Sequence, residues 1–377
     1  MLQLTIIMIV TFIFTGIIVG IVPYITRRET VFGILIPEGR AEDPFILGLK
    51  KNYLTICLIL CVLMSAPLFF FYGGGEEMMH GMAIYISVAI LAYVVIAYGI
   101  YFVYHKKVKE FKRSLSPEER ALENQKIVIS TSFTKENKVV SMGLFAGVNL
   151  IIILVTIILP IAFYHQIPYQ VPTHWGADGV VTTYTERSIG LFLSMPIFQL
   201  LLLAIMLVTN HSLRAAKQKL NVKKPKISRE QNIAFRYAMS KLMFVIAVSM
   251  SALLLMIQWM MVFGIQSGNL IMIASGIMLV PALGGSLYIA VRYGQGGERL
   301  KVREEDGILE SGLNVDDDRH WKVGLFYINP QDPSVWVETR FGIGMTINYG
   351  NPKGIAILVG ILLATVVMVA VPFLLGM

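Results

Sequence analysis

Residues 164–188 read YHQIPYQVPTHWGADGVVTTYTERS, a polar island between two apolar runs at 139–163 and 189–210. Most other polar segments of the chain are rich in lysine and arginine, but this one holds a single basic residue, Arg187. Runs as apolar as those flanking it cross a hydrocarbon layer as helices, for which roughly 20 residues suffice. The island is therefore read as a connection lying outside a membrane, between two spans.

The rest of the chain agrees. It has 377 residues, 55% hydrophobic and 15% charged, with a mean hydropathy of +0.67. Soluble domains carry about 25% charged residues, so this chain cannot clothe a soluble surface. Its apolar runs do not alternate as the strands of a membrane barrel would. The expected fold is an all-α polytopic membrane protein of about eight transmembrane helices, with a small β-rich cytoplasmic module before the last. The spans lie at about 2–26, 52–72, 81–104, 139–163, 189–210, 242–265, 270–291 and 354–376. The first begins at Met1 without a charged leader and is read as a retained span.

Charge sets the orientation. Basic residues collect on the inner side of membrane proteins. With the amino terminus outside, the inner loops 27–51, 105–138, 211–241 and 292–353 hold 5, 9, 9 and 8 of the 32 lysines and arginines. The outer connections hold only Arg187, together with Glu76, Glu77, Asp178 and Glu186. This predicts a multi-pass protein of the bacterial cytoplasmic membrane, N-terminus outside. The isoelectric point of about 9.3 then reflects contact with anionic headgroups of the lipid bilayer, and no nucleic-acid partner is expected.

Five regions follow: 1–138, three spans with their loops; 139–210, helix, outer hairpin and helix; 211–291, a loop and two spans; 292–353, the β-rich module; and 354–377, the last span. In the first loop Asp43-Pro44 reads as a helix start, and 31–37 as a stretch at the membrane interface. Ser116 and Glu119 form a capping box. Ser228, with Gln231 three residues on, starts a helix continuing into the sixth span, and charge-rich helices are read as solvated faces. Gly16/Gly20 and Gly143/Gly147 match the spacing that lets membrane helices approach closely. Pro67, Pro160, Pro196 and Pro281 favour kinks. Cys57 and Cys61 read as small buried helix residues. Residues 292–318, ending in the acidic Asp316–Asp318, read as a flexible lead. From Trp321 to Pro352, apolar runs broken by Asn329-Pro330, Asp332-Pro333 and several glycines read as two to four strands. About 30 residues build little core alone, so this module should dock on the other inner loops.

In the island, the residues through Trp175 and those from Val180 to Thr185 are β-prone. Asp178-Gly179 between them suits the positive φ of a hairpin turn. The candidate ligand-binding surface comprises His174, Trp175, Asp178, Gly179, Tyr184, Glu186 and Arg187. A structural alternative has His174 bonding hairpin backbone and Arg187 anchoring the fifth span. His165, His174, Glu77 and His80 could ligate a metal, but no spacing brings three or four of them together as zinc requires. No cofactor motif or nucleophile elbow occurs, and the expectation is a non-enzymatic protein without cofactors. The spans contain polar residues such as Asn149, Gln199 and Gln258 but no ionisable group in their interiors, which argues against ion-coupled transport.

The run I-P-x-x-V-P-x-H-W-x-A-x-G at 167–179, followed by Arg187, resembles a bacterial membrane family. It is the domain of unknown function shared with the immunity and signalling protein for the sporulation-delaying peptide toxin. Pro172, His174, Trp175, Gly179 and Arg187 carry the match over about residues 140–210. Many members have Pro-Asp shortly after the glycine, where this chain has Val181-Thr182. The segment from Trp321 to Pro352 is similar to a second uncharacterised bacterial domain often joined to the first, and FGILIP near Phe32 fits the same long form. The resemblance implies a protein that senses, or confers immunity to, an envelope-active agent such as an antimicrobial peptide. Its partners would be that extracellular peptide and a cytoplasmic regulator. A passive or efflux transporter is the alternative, and an outer-face metal-dependent hydrolase a third.

Overall fold

A computed structural model describes residues 2–71, 76–117, 119, 138–175, 180–217, 224–302 and 317–374. Among them, eight helices are long and apolar enough to cross a membrane, and the chain is an all-α polytopic membrane protein with small two-stranded sheets. The spans are α1 (Leu2–Ile25), α2 (Pro44–Ser65), α3 (Glu76–Ser114), α4 (Met142–Ala162), α5 (Ile189–Ala215) and α6 (Pro225–Phe263). A broken helix follows, α7 (Gly268–Leu279) and α8 (Ser286–Arg292), joined by a π-helical turn at Val280–Gly285, and then α9 (Pro352–Leu374).

Local chemistry explains most boundaries. Asp43 accepts from the Phe45 N–H ahead of Pro44 and opens α2. Ser141 and Ser188 cap α4 and α5 in the same way. Gly264, at φ +63, ends α6 in the left-handed conformation. Pro281 sits in the π-helical turn, where a missing N–H widens the helix. Ser116 and Glu119 exchange their two capping hydrogen bonds; the helix they were expected to open runs outside the described residues. The sixth helix starts at Pro225, not at Ser228, and continues unbroken for 39 residues.

The two glycine pairs part company. A Cβ on Gly16 would lie 2.5 Å from Cys61 Sγ, and one on Gly20 2.8 Å from Leu54, so this pair admits α2 against α1. Cys57 and Cys61 are unpaired and buried, with the Cys61 thiol bonded to the Phe12 carbonyl. At Gly143 and Gly147 a Cβ would meet nothing within 4 Å. No helix among the described residues uses that second motif.

Helices α4, α5 and α6 form a three-helix unit with a polar seam. The Ser240 hydroxyl donates to Asn210 and accepts from the Val140 N–H. Ser251 donates to Asn149, and Gln199 donates to the Thr156 hydroxyl and the Ser251 carbonyl. Gln258 donates to the Phe192 carbonyl. Such bonds hold membrane helices together where water offers no substitute.

Two small β elements close one end of the bundle. The first is β1 (Thr30–Val31) paired with β2 (Ile34–Leu35); the second joins β5 (Trp321–Lys322) to β6 (Phe326–Tyr327) and β7 (Trp336–Glu338) to β8 (Met345–Ile347). Between them in sequence, β3 (Gln170–Trp175) and β4 (Val181–Glu186) form the hairpin at the opposite end. Val31–Ile36 is fully buried, at 0–5% exposure, so the stretch read as interfacial forms part of the protein core. Asp317 and Asp318 depart from the flexible lead expected over 292–318, because they grip Arg340; residues 303–316 of that lead lie outside the described residues.

Candidate functional site

The hairpin pairs Gln170 with Glu186 and Val171 with Thr185, and a bulge interrupts the register around Thr173 and His174. Its inward residues are apolar: Ile167 and Val171 pack with Met261 and Val262 at the end of α6 and with Leu191 and Phe192 of α5. Pro168 lies against Gly264, 3.4 Å from where a Cβ would stand. The hairpin is thus seated on the ends of α5 and α6.

Of the candidate ligand-binding residues, His174, Tyr184 and Glu186 are exposed. His174 bonds the Thr173 hydroxyl, which in turn bonds Thr185 and the Thr183 carbonyl. Its contact is therefore a hairpin side chain, not the backbone. The Tyr184 hydroxyl accepts from Gln266, tying the second strand to the connection after α6. Glu186 accepts from the Tyr169 hydroxyl and pushes that phenol's pKa up. Arg187 donates to the Ile167 carbonyl and lies over the Tyr164 ring at 5.1 Å, so it secures the approach to α5. Trp175 turns inward onto the cluster around Ile257 and Phe192, its indole nitrogen buried without a partner among the described residues. Asp178 and Gly179 lie outside the described residues, as do the side chains of Glu77 and His80. Among the described residues no three metal-ligating side chains converge; His165 is exposed beside Tyr164.

The opposite end holds a constellation that sequence reasoning missed. Glu338 accepts from Arg27 at 3.0 and 2.5 Å and from Asn232 at 2.9 Å. Arg27 also reaches Glu298 at 3.2 Å. Arg236, with no exposed surface, donates to Asn232 and to the carbonyls of Leu213 and Ala216, satisfying the open end of α5. Burial works against ionising Glu338, but Arg27 and Arg236 outweigh it and hold its pKa below the usual carboxylate value.

A second cluster centres on Arg340, which is buried, pairs with Asp317 and Asp318, donates to the Gly33 carbonyl and lies over the Trp321 ring. Lys112 reaches Asp318 at 2.8 Å. Burial penalises the Asp318 carboxylate, and Arg340 and Lys112 more than offset this, lowering its pKa. Here the turns of two hairpins meet back to back. Phe32-Gly33 and Val323-Gly324 all have positive φ, and a Cβ on Gly33 would fall 2.5 Å from the Gly324 Cα. Phe32 is held in this uncommon conformation by a cage of Tyr53, Tyr101 and Tyr104. His105 donates to its carbonyl.

The helix ends at this junction are those after α1, α3, α5 and α8 and those before α6 and α9, so these ends share one side, the basic side. Their meeting requires the alternating thread that the charge pattern predicts. One signal for the junction was present in the sequence: Asn232, Arg236 and Ser240 recur every four residues, on the face that continues to Ser251 and Gln258.

Comparison with known families gives two matches. Residues 151–200, which include the hairpin, match a family described as Domain of unknown function (DUF1648). Residues 330–355, which include β7, β8 and the start of α9, match a Family of unknown function (DUF5808). No curated protein and no solved structure matches the chain.

Proposed function

We propose that this protein sits in a bacterial cell membrane with its amino terminus and hairpin outside, and senses or gives immunity to an envelope-active agent such as an antimicrobial peptide. The agent is met at the hairpin by Tyr169, Tyr184 and Glu186, whose exposed rings and carboxylate suit an amphipathic cationic ligand. It reports inward to the β-rich module, which would meet a cytoplasmic regulator. No chemical step is needed, and the reading is of a non-enzymatic protein.

The observation carrying this proposal is α6. One unbroken helix seats the hairpin with Met261 and Val262 and inserts Asn232 and Arg236 into the junction. The polar seam along its length ties it to α4 and α5 between those points. A displacement of the hairpin end therefore acts on the module through a stiff element, without a cavity or a relay of charges. The transport reading has one observation in its favour: the side-chain oxygens of Gln199 and Gln258 are buried without a partner among the described residues.

The test compares cells lacking the gene, cells expressing it, and cells expressing Tyr169→Ala/Tyr184→Ala or Glu338→Gln, against a panel of cationic envelope-active peptides. The expected result is a shift in sensitivity to at least one peptide, lost in both variants while the protein still reaches the membrane. No shift across the panel sinks the proposal. Flux through proteoliposomes of the purified protein would move the assignment to transport.

A further inference from the structure

An open groove of about 610 Å³ lies along α8, lined by Gly284, Leu287, Tyr288, Val291, Arg292 and Arg299. Its two halves differ in chemistry. Tyr288 and Val291 are 60% and 57% exposed, on a helix that crosses the membrane, so this wall faces acyl chains. Arg292 and Arg299 stand at its basic-side end, where α8 stops.

The charge around that end is unbalanced. Lys50 is 8% exposed, makes no hydrogen bond or ion pair among the described residues, and feels the positive charges of Arg28 and Arg299. Glu298, the acid next in sequence to Arg299, is already engaged by Arg27 and by the Arg28 N–H. Arg292 has no partner among the described residues. A buried ammonium in the field of two guanidiniums, with no ion pair of its own among the described residues, favours an anion nearby. The groove's shape adds to this. In the π-helical turn Gly285 is pressed on Leu242 of α6, while a Cβ on Gly284 would meet nothing within 4 Å, so the turn leaves a trough beside the helix.

We infer that this groove holds one anionic phospholipid of the basic-side leaflet, its phosphate between Arg292 and Arg299 and an acyl chain along Tyr288, Leu287 and Gly284. Lys50 and Arg28 supply the background field. Arginine suits the role because its guanidinium binds phosphate through two parallel N–H bonds. Because Arg299 also donates to the carbonyls of Tyr24 and Val291, the lipid would bear on the joint between α1 and α8.

The test is lipid binding to the full-length protein in detergent, read by native mass spectrometry and titration with dioleoylphosphatidylglycerol, dioleoylphosphatidylcholine and glycerol 3-phosphate. Arg292→Gln removes one phosphate contact and no described protein contact, and Gly284→Leu fills the trough with charge unchanged. Arg299 is left intact because it holds α1 to α8. One phosphatidylglycerol should be retained per chain in preference to phosphatidylcholine. Its affinity should fall about fivefold in Arg292→Gln and measurably in Gly284→Leu, and should weaken with added salt. Wild-type affinity in both variants, or equal retention of phosphatidylcholine, overturns the inference. So does glycerol 3-phosphate binding as tightly as the lipid, which would make this a site for free phosphate esters.

Discussion

Glu338 joins three parts of the chain through one carboxylate: Arg27 after α1, Asn232 and Arg236 on α6, and its own strand β7. Removing one member of a buried ion pair leaves its partner's charge uncompensated, at about 3–5 kcal/mol. Glu338→Ala should therefore lower the unfolding midpoint in detergent sharply, with Trp321 and Trp336 fluorescence as the readout. Acid should act on the same groups. Glu338 and Asp318 have folded pKa values below their usual 4.5 and 3.8. Each contributes stability that is present above the unfolded value and lost as pH falls through the folded one. The module should hold at neutral pH and loosen below about pH 4.5, and a module indifferent to acid would contradict the pairing. None of these partners was legible in advance, because Arg27 and Glu338 are separated by 311 positions and Asn232 and Glu338 by 106. An ion pair that distant leaves no local spacing to read.

Elements were more legible, and the exceptions have a physical cause. Membrane helices announce themselves because the bilayer demands a continuous apolar run, and β3 and β4 because β-branched and aromatic residues flank a turn sequence. Small-residue spacing states only that a close approach is allowed. Gly16 has α2 against it and Gly143 has nothing, yet the two motifs look alike in sequence. Gly16→Val should thus force α1 away from α2 and lower stability by about 1–3 kcal/mol, the usual cost of overpacking. Gly143→Val should leave it within about 0.5 kcal/mol. Thermal unfolding of the two purified variants separates these outcomes, and equal effects would mean that α1 and α2 do not pack as described. The amphipathic start of α6 was misread as solvated for a related reason. Its charges are real, but Asn232 and Arg236 point at partners contributed by α5 and β7.

At the scale of the whole molecule, the sidedness of the chain is open to direct measurement. Cys57 and Cys61 are buried, so introduced thiols can be read against a quiet background. Tyr184→Cys should react with an impermeant maleimide on intact cells and Lys322→Cys only after the membrane is opened. The reverse pattern would turn the protein over and place the hairpin inside, removing it as the surface that meets an external agent. Which helix ends lie together was predictable from the lysine and arginine distribution. What they build was not, because the module's core is assembled from both ends of the chain.

That two-ended construction governs the order in which the protein can be made. The tight turn at Phe32-Gly33 leaves the ribosome early, but its counterpart at Val323-Gly324 emerges only after seven spans. Until then the apolar Val31–Ile36 segment lacks the partner strands that complete its cover. A chain stopped short of residue 317 should consequently display an unmet greasy edge, and quality-control proteases should clear it faster than the finished protein. Synthesis of the strands between Trp321 and Ile347 should thus act as the molecule's own checkpoint.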